Sequence, residues 1–396
     1  MPALRILHCP ALVGGNPSSL ARHERALGLK SHCVAFRPSP FAFPADEILE
    51  TPGTSYLRFE LRRWRLLWRA IRDFDIVHFN FGRTILPSLF SLDTLARSQV
   101  PTIVRRGYEL YARSLELRDL ELLRHFGKGI VVTYQGDDAR QGDIAAQLGE
   151  VSPVGEVEPG YYDPKVDARK RAAIAHFDRY ADRIYALNPD LLHVLPPRAR
   201  FLPYGHVDPQ EWPPPDPRPG RRVPVVVHAP THRGVKGSRF LFSAVERLRA
   251  EGIAFELRLV EGLSHAEARR AYEGADLFVD QLLVGWYGGV AVELMALERP
   301  VLCFLREEDL RFIPPQMREE LPIVRVTPAT VYDVLKQWIT ASPERRAEQG
   351  RRGRRFVERW HNPARIAAEL AQAYAEIAEE RLGRRSLPAA GSQAVA

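Results

Sequence analysis

The chain has 396 residues, with 56 Lys and Arg against 49 Asp and Glu for a formal charge of +7, and it is 45% hydrophobic and 27% charged. These proportions are ordinary for globular proteins and exclude a disordered chain, a collagen-like fibre and a low-complexity array. At roughly 100–200 residues per domain, the length predicts two domains, each able to bury a core.

Short apolar runs alternate with helical patterns along most of the chain, which is the signature of βαβ units and parallel sheets. A strand at 5–10 leads through Gly14-Gly15 into a helix at 18–29 and a strand at 32–36. A helix at 56–72 and a strand at 75–81 follow, then strands at 102–105, 130–134, 183–187 and 200–202. Residues 203–222 hold seven prolines in twenty residues. Proline fixes φ and removes a backbone donor, so this stretch is expected to contribute nothing to a core and to connect two domains. Alternation then resumes. Strands are expected at 223–230, 254–260, 277–280, 301–304 and 323–326, with helices at 239–250, 265–273 and 289–297. Helices at 331–339, 343–359 and 363–381 close the chain.

The resulting division is an N-terminal domain 1–205, a linker 206–222, a C-terminal domain 223–362, a last helix 363–384 and a disordered tail 385–396. The last helix is a candidate to pack back on the N-terminal domain. Two doubly wound domains so joined leave a cleft at the carboxyl ends of their strands, where open α/β sheets bind ligands.

Cys9, Cys33 and Cys303 lie far apart with no CxxC pair, so neither a disulfide framework nor a zinc knuckle is expected. A reduced, cytoplasmic setting fits this usage. The opening MPALRILHCPALVGG is too short and too weakly apolar for a signal peptide, and no apolar run approaches the roughly 20 residues of a membrane span. Only six of the 56 cationic residues are Lys. The Arg residues are dispersed and no recognition module is present, which argues against nucleic acid as a partner.

Three strand-end loops have the make-up of a phosphate site. In the first, Gly14 and Gly15 let the backbone approach a ligand ahead of a helix start; an ordinary tight turn has the same composition. It is not GxGxxG, and the next strand ends Ala35-Phe36-Arg37 with no acid for a ribose, so a nicotinamide or flavin site is disfavoured. In the second, Arg233, Lys236 and Gly237 precede a helix start, a set that suits a diphosphate; a solvated basic turn is the plainer reading. In the third, Asp280 and Gln281 end an apolar strand and Gly288-Gly289 open a helix carrying Glu293 among apolar neighbours. A carboxylate in such surroundings needs donors, which ribose hydroxyls would supply.

These blocks resemble the GT-B glycosyltransferases of the retaining family 4 type. The resemblance runs from the N-terminal glycine loop to the final helices. GWYGGVAVELMALERPVL is similar to that family's acidic signature, with Glu293 in the second acidic place, which binds the nucleotide ribose. Gly285 stands eight residues earlier, where the family has its first Glu. Arg233 and Lys236 resemble the pair that grips the donor diphosphate. The resemblance implies a GT-B fold of two Rossmann-like domains. It also implies sugar transfer from a nucleotide-diphosphate sugar with retention, no cofactor beyond that donor, and no metal ion. Donor contacts are then expected from Gly14, Gly15, Asp280, Gln281, Gly288, Gly289 and Glu293, with Arg233 and Lys236 stabilising the leaving group.

The N-terminal domain would hold the acceptor. Its strand ends offer His78 and Asn80, then Gln135 and Asp138, with Asp137 a candidate to orient the acceptor or act as a base. His78 fits a core histidine equally well, and Asp137 a turn-stabilising role. Gln135 stands near the place of a family His and cannot act as a base. From Tyr56 to Arg72, Leu57, Leu61, Trp64, Trp68 and Ile71 share one helical face ringed by Arg. That face either packs on the sheet or makes peripheral contact with an anionic membrane. Two further readings remain open: a nucleotide-sugar binding protein without turnover, and an inverting transferase or epimerase of the same fold.

Overall fold

The computed structural model describes residues 3–88, 102–215 and 223–383. Two sheets, parallel throughout, organise them. The first has seven strands: β1 (Arg5–Cys9), β2 (Lys30–Ala35), β3 (Glu47–Ile48), β4 (Ile76–Asn80), β5 (Gly129–Tyr134), β6 (Arg183–Ala186) and β7 (Arg200–Phe201). Their order is β3-β2-β1-β4-β5-β6-β7. The second has five: β8 (Val225–His228), β9 (Glu256–Leu259), β10 (Leu277–Val279), β11 (Val301–Cys303) and β12 (Val324–Arg325), in the order β12-β11-β10-β8-β9. Every residue of β4, β5, β8, β10 and β11 is buried. Helices cover both faces of such a sheet, so its central strands are apolar without alternation. Strand order reverses between β1 and β4 and again between β8 and β10, and ligands bind beside such reversals.

The last helix, Pro363–Leu382, starts at an Asn362 cap whose carboxamide oxygen accepts from the Ala364 and Arg365 amides. It lays Ile366, Leu370, Tyr374 and Ile377 against Ile6, Ile76 and Val131 of the first sheet. A Cβ on Gly129 would stand 2.6 Å from Ile377, so glycine in β5 lets the helix approach.

Three expectations fail. Residues 102–105 are not a strand: Thr102–Leu115 is a helix, and β4 pairs directly with β5, leaving no place between them. The β-branched opening Thr102-Ile103-Val104 suggested a strand, but tertiary contacts decide the element. Trp64 donates to the Tyr111 hydroxyl (2.8 Å), and Tyr108 and Tyr111 both donate to Glu60 of the neighbouring helix.

The proline-rich stretch also enters a core, since Val207 and Trp212 are buried in the main apolar cluster of the second sheet. A segment without backbone ladders can still pack its side chains. Its residues 216–222, like the expected tail 385–396, lie outside the described residues.

The helix Tyr56–Asp73 buries Phe59, Arg63, Leu66, Leu67 and Ala70, so of the two readings of its Leu and Trp face, packing on the sheet is the one that fails. Leu57 stays 71% exposed, Leu61 61% and Trp68 54%.

Candidate active site

A cavity of about 670 Å3 opens between the ends of the two sheets. Its second-sheet wall begins where β8 ends. His228 is pinned there by the Val279 carbonyl at Nδ1 (2.8 Å) and by the Ser238 hydroxyl at Nε2 (2.8 Å), and burial pushes its pKa down to about 4. The chain then passes Thr231 into the short helix Arg233–Lys236, which His232 caps by accepting from the Val235 amide. Gly237, at φ +70°, joins this turn to the helix Ser238–Ala250. Any side chain there would meet Leu283 at 2.9 Å.

Lys236 reaches the cavity with its Nζ 2.8 Å from Oδ1 of Asp280. Asp280 is 1% exposed, and its Oδ2 accepts the Gly288 amide at 2.6 Å. One buried carboxylate thus ties the lysine to the glycine step ahead of the helix Gly289–Ala296. Gly289, Glu293 and Lys236 all line the cavity.

Glu293 is 3% exposed. Its Oε1 lies 2.8 Å from Nε2 of His265 and 3.4 Å from Nε2 of His206, while its Oε2 has no partner among the described residues. Burial works against its charge, but the hydrogen bonds from the two histidines outweigh it and hold the carboxyl below its usual range. His265 opens the helix His265–Glu273 next to the capping box of Ser264 and Glu267. His206 comes from the proline-rich segment. Neither histidine stands out in the sequence: His265 has the make-up of an ordinary helix start, and His206 lies in the expected linker.

Arg233 does not join this group. Its guanidinium forks onto Glu261 at 2.8 and 2.5 Å, and Glu261, not Arg233, lines the cavity. Gln281 also turns away, because its side-chain amide donates to the Trp286 carbonyl and is buried there. Gly285 has φ +92°, and a Cβ on it would meet the Arg306 guanidinium at 2.7 Å. Arg306 is held by Asp309 (3.0 Å) and the Val284 carbonyl (3.3 Å). The position thus has neither the backbone nor the space for the acid that the resemblance would put there.

On the first-sheet wall, Gly14 and Gln135 line the cavity. Gly15 lies beneath Phe43, where a Cβ would stand 2.6 Å from the ring. The side-chain Nε2 of Gln135 is buried with no partner among the described residues, and the Gln135 main-chain carbonyl accepts from the Asn188 side chain at 2.5 Å.

The other expected acceptor residues are used internally. His78 is fully buried between the Tyr374 hydroxyl (2.6 Å at Nδ1) and the Thr133 hydroxyl (2.7 Å at Nε2). Burial, and next the neighbouring His8, keep its pKa well below the usual range. Asn80, also buried, donates to the His78 carbonyl. Asp138 accepts from the Gln135 (3.1 Å) and Gly136 (2.7 Å) amides, and burial raises its pKa to about 6. Asp137 pairs with Arg140 (3.0 Å) and accepts from the Tyr161 hydroxyl (2.6 Å). Desolvation opposes its charge, but Arg140 and Tyr161 hold its pKa below the usual range, which makes it a poor base.

Among the described residues, no three His, Cys, Asp or Glu side chains are grouped to hold a metal ion, and no helix is long and apolar enough to cross a membrane.

No protein-family profile matches the chain, and no curated protein matches its sequence. Solved structures do share its fold. Sucrose-phosphate synthase from Thermosynechococcus elongatus aligns with a TM-score of 0.59 at 17% identity, covering 94% of this chain and 99% of that one. A glycosyltransferase from Rickettsia africae ESF-5 gives 0.54 at 11%, over 95% and 99%. An alpha-glucosyltransferase solved with UDP-glucose and DNA containing an abasic site gives 0.56 at 10%, over 94% and 100%. The chain therefore has the GT-B fold: two doubly wound Rossmann-like units facing a cleft.

Proposed function

We propose that this chain transfers a sugar from a nucleoside-diphosphate sugar to an acceptor, with retention at the anomeric carbon and without a metal ion. One observation carries the reading. Glu293 is a buried carboxylate in the cleft wall with one oxygen engaged by two histidines and the other unpaired. A ribose hydroxyl supplies the missing donor, and the diphosphate then runs toward Lys236 and the Gly289 amide. As the glycosyl–phosphate bond breaks, negative charge gathers on the diphosphate. A cation and a peptide dipole already fixed there stabilise it without reorganising. Asp280 acts one step back by positioning both Lys236 and Gly288. In this reading residues 223–362 bind the donor, and residues 1–205 receive the acceptor through Gln135 and the Gly14 loop.

UDP-glucose, present in one structure of the same fold, is the first donor to try. Wild type is expected to release UDP from it slowly in water and faster with acceptor. Glu293→Gln is expected to weaken UDP binding by about 1.5–3 kcal/mol in calorimetry; unchanged affinity would take Glu293 off the ribose. The filled space at Gly285 favours a second reading, nucleotide-sugar binding without turnover. Tight binding of a donor with no product from any donor–acceptor pair would decide for it.

The acceptor in this reading lies at a membrane. Leu57, Leu61, Trp64 and Trp68 are exposed beside the exposed Arg58, Arg62 and Arg65, and Leu110 of the adjoining helix is exposed as well. Aromatic and basic residues together suit an anionic bilayer surface. The chain should sediment with anionic vesicles at low salt, and a Trp64→Glu, Trp68→Glu double variant should not; equal sedimentation of both would remove the surface from the account.

A further inference from the structure

Residues 37–45 leave the first sheet after β2 and cross the cleft as a strap. Both ends are tied down on that sheet: the Phe36 amide donates to the Pro10 carbonyl at 2.9 Å, and Asp46 accepts from the Cys33 amide (2.8 Å) and from Arg25 (3.0 Å). The tip reaches the other half of the molecule. The Phe41 carbonyl accepts the His265 amide at 3.1 Å, one of the first-turn N–H groups that its own helix leaves unsatisfied. The Phe43 ring lies 4.5 Å from the His265 ring and 6.5 Å, edge-on, from the Phe41 ring, and it also packs over the bare backbone of Gly15 and against the Leu12–Cys33 cluster of the first sheet. Phe41 stays 38% exposed while lining the same cavity.

His265 also holds Glu293 through its Nε2. The strap therefore sits on the Glu293 side of the cavity, at the residue that orients the carboxylate, and Lys236 is engaged elsewhere, with Asp280 and the glycine step. Val260, Leu263 and Tyr272 of the second half line the same cavity. Two rings from one half thus share a cavity with apolar side chains of the other, next to a carboxylate with a free oxygen. A flat heterocycle attached to a ribose fits that place, because base–aromatic stacking tolerates any base and excludes water from both faces.

Resting on the donor reading above, we infer that the strap forms the second wall of the nucleobase subsite, with Phe41 and Phe43 as base-contacting specificity residues. The donor then touches both halves of the molecule, and nucleotide affinity depends on a residue of the first half that has no part in the chemistry.

The test is titration calorimetry of UDP, GDP, ADP and inorganic pyrophosphate against wild type, Phe41→Ala, Phe41→Tyr and Phe43→Leu, with thermal midpoints recorded alongside. Phe41 is partly exposed, so its replacement spares the fold. Phe41→Ala and Phe43→Leu are expected to weaken the best nucleoside diphosphate roughly five- to a hundredfold while pyrophosphate changes less than about twofold, and Phe41→Tyr to retain wild-type affinity. Unchanged nucleotide affinity in both variants, or a parallel fall in pyrophosphate, overturns the inference. Wild type that turns over a donor yet binds its nucleotide no better than pyrophosphate overturns it and leaves the donor reading standing. Wild type that binds no nucleoside diphosphate removes the donor reading, and this inference with it.

Discussion

The two walls of the cleft treat their polar residues in opposite ways. On the second-sheet wall, Lys236, Asp280 and Glu293 are cross-braced by partners from different loops, and Lys236 and Glu293 still face the cavity. On the first-sheet wall, His78 and Asp138 are turned inward and satisfied by the fold, and Asn80 is buried beside them with its amide on the His78 carbonyl. A polar residue at a strand end is therefore not yet a ligand contact. What marks a candidate contact on either wall is a residue that lines the cavity with an atom its bracing leaves over, as at Oε2 of Glu293 and at Nε2 of Gln135.

The strongest way to break the contrast is at Lys236. Lys236→Ala removes the cation and strands Asp280 as a buried, unpaired charge. A loss of about 3–5 kcal/mol in stability by denaturant unfolding is expected, together with a roughly 100- to 1,000-fold fall in turnover. Adding Asp280→Asn should restore much of the stability and none of the turnover. Joint recovery of both would mean that the lysine serves the fold alone.

Asp138 sharpens the contrast from the other wall, through pH. Its folded pKa of about 6 lies above the unfolded value near 3.8. The unfolded chain therefore releases this proton first, and between about pH 4 and 6 it binds fewer protons than the folded chain, so this group makes stability fall as pH rises through that window. The full effect is on the order of 2–3 kcal/mol. Asp138→Asn keeps an oxygen for the Gln135 and Gly136 amides and cannot ionise. Chemical unfolding of this variant at a series of pH values should lack that decline, while turnover keeps its wild-type pH profile. A matching change in the turnover profile would put Asp138 back at the acceptor.

These opposite outcomes explain what could be read from the chain. Central strands such as β8 and β10 were legible because continuous apolar runs bounded by Pro, Gly or Asp leave few other choices. The two-residue β3 carries no such run, and the β-branched start of Thr102–Leu115 pointed the wrong way. Lys236, Asp280 and Glu293 were legible because strand ends and helix starts are local features. The fate of His78 was not, since its ring is fixed by Tyr374, 296 residues away. The same holds for His206 and His265, whose meeting on Glu293 depends on how the connecting segment and a second-sheet helix are packed.

The smallest expected effect falls on Arg233, which the sequence groups with Lys236 at the diphosphate. Arg233 and Lys236 share one basic turn, yet only the lysine enters the cavity. Arg233 has a side chain 58% exposed and forks onto Glu261 at the rim. An exposed pair of this kind is screened by solvent and adds little to stability. Arg233→Ala is therefore expected to leave unfolding almost unchanged and turnover within about fivefold of wild type, since the arginine would have to leave Glu261 to reach a diphosphate. A loss in kcat as large as that of Lys236→Ala, with donor KM unchanged, would mean that Arg233 makes that move in the transition state, and the division between the two cations would have to be redrawn.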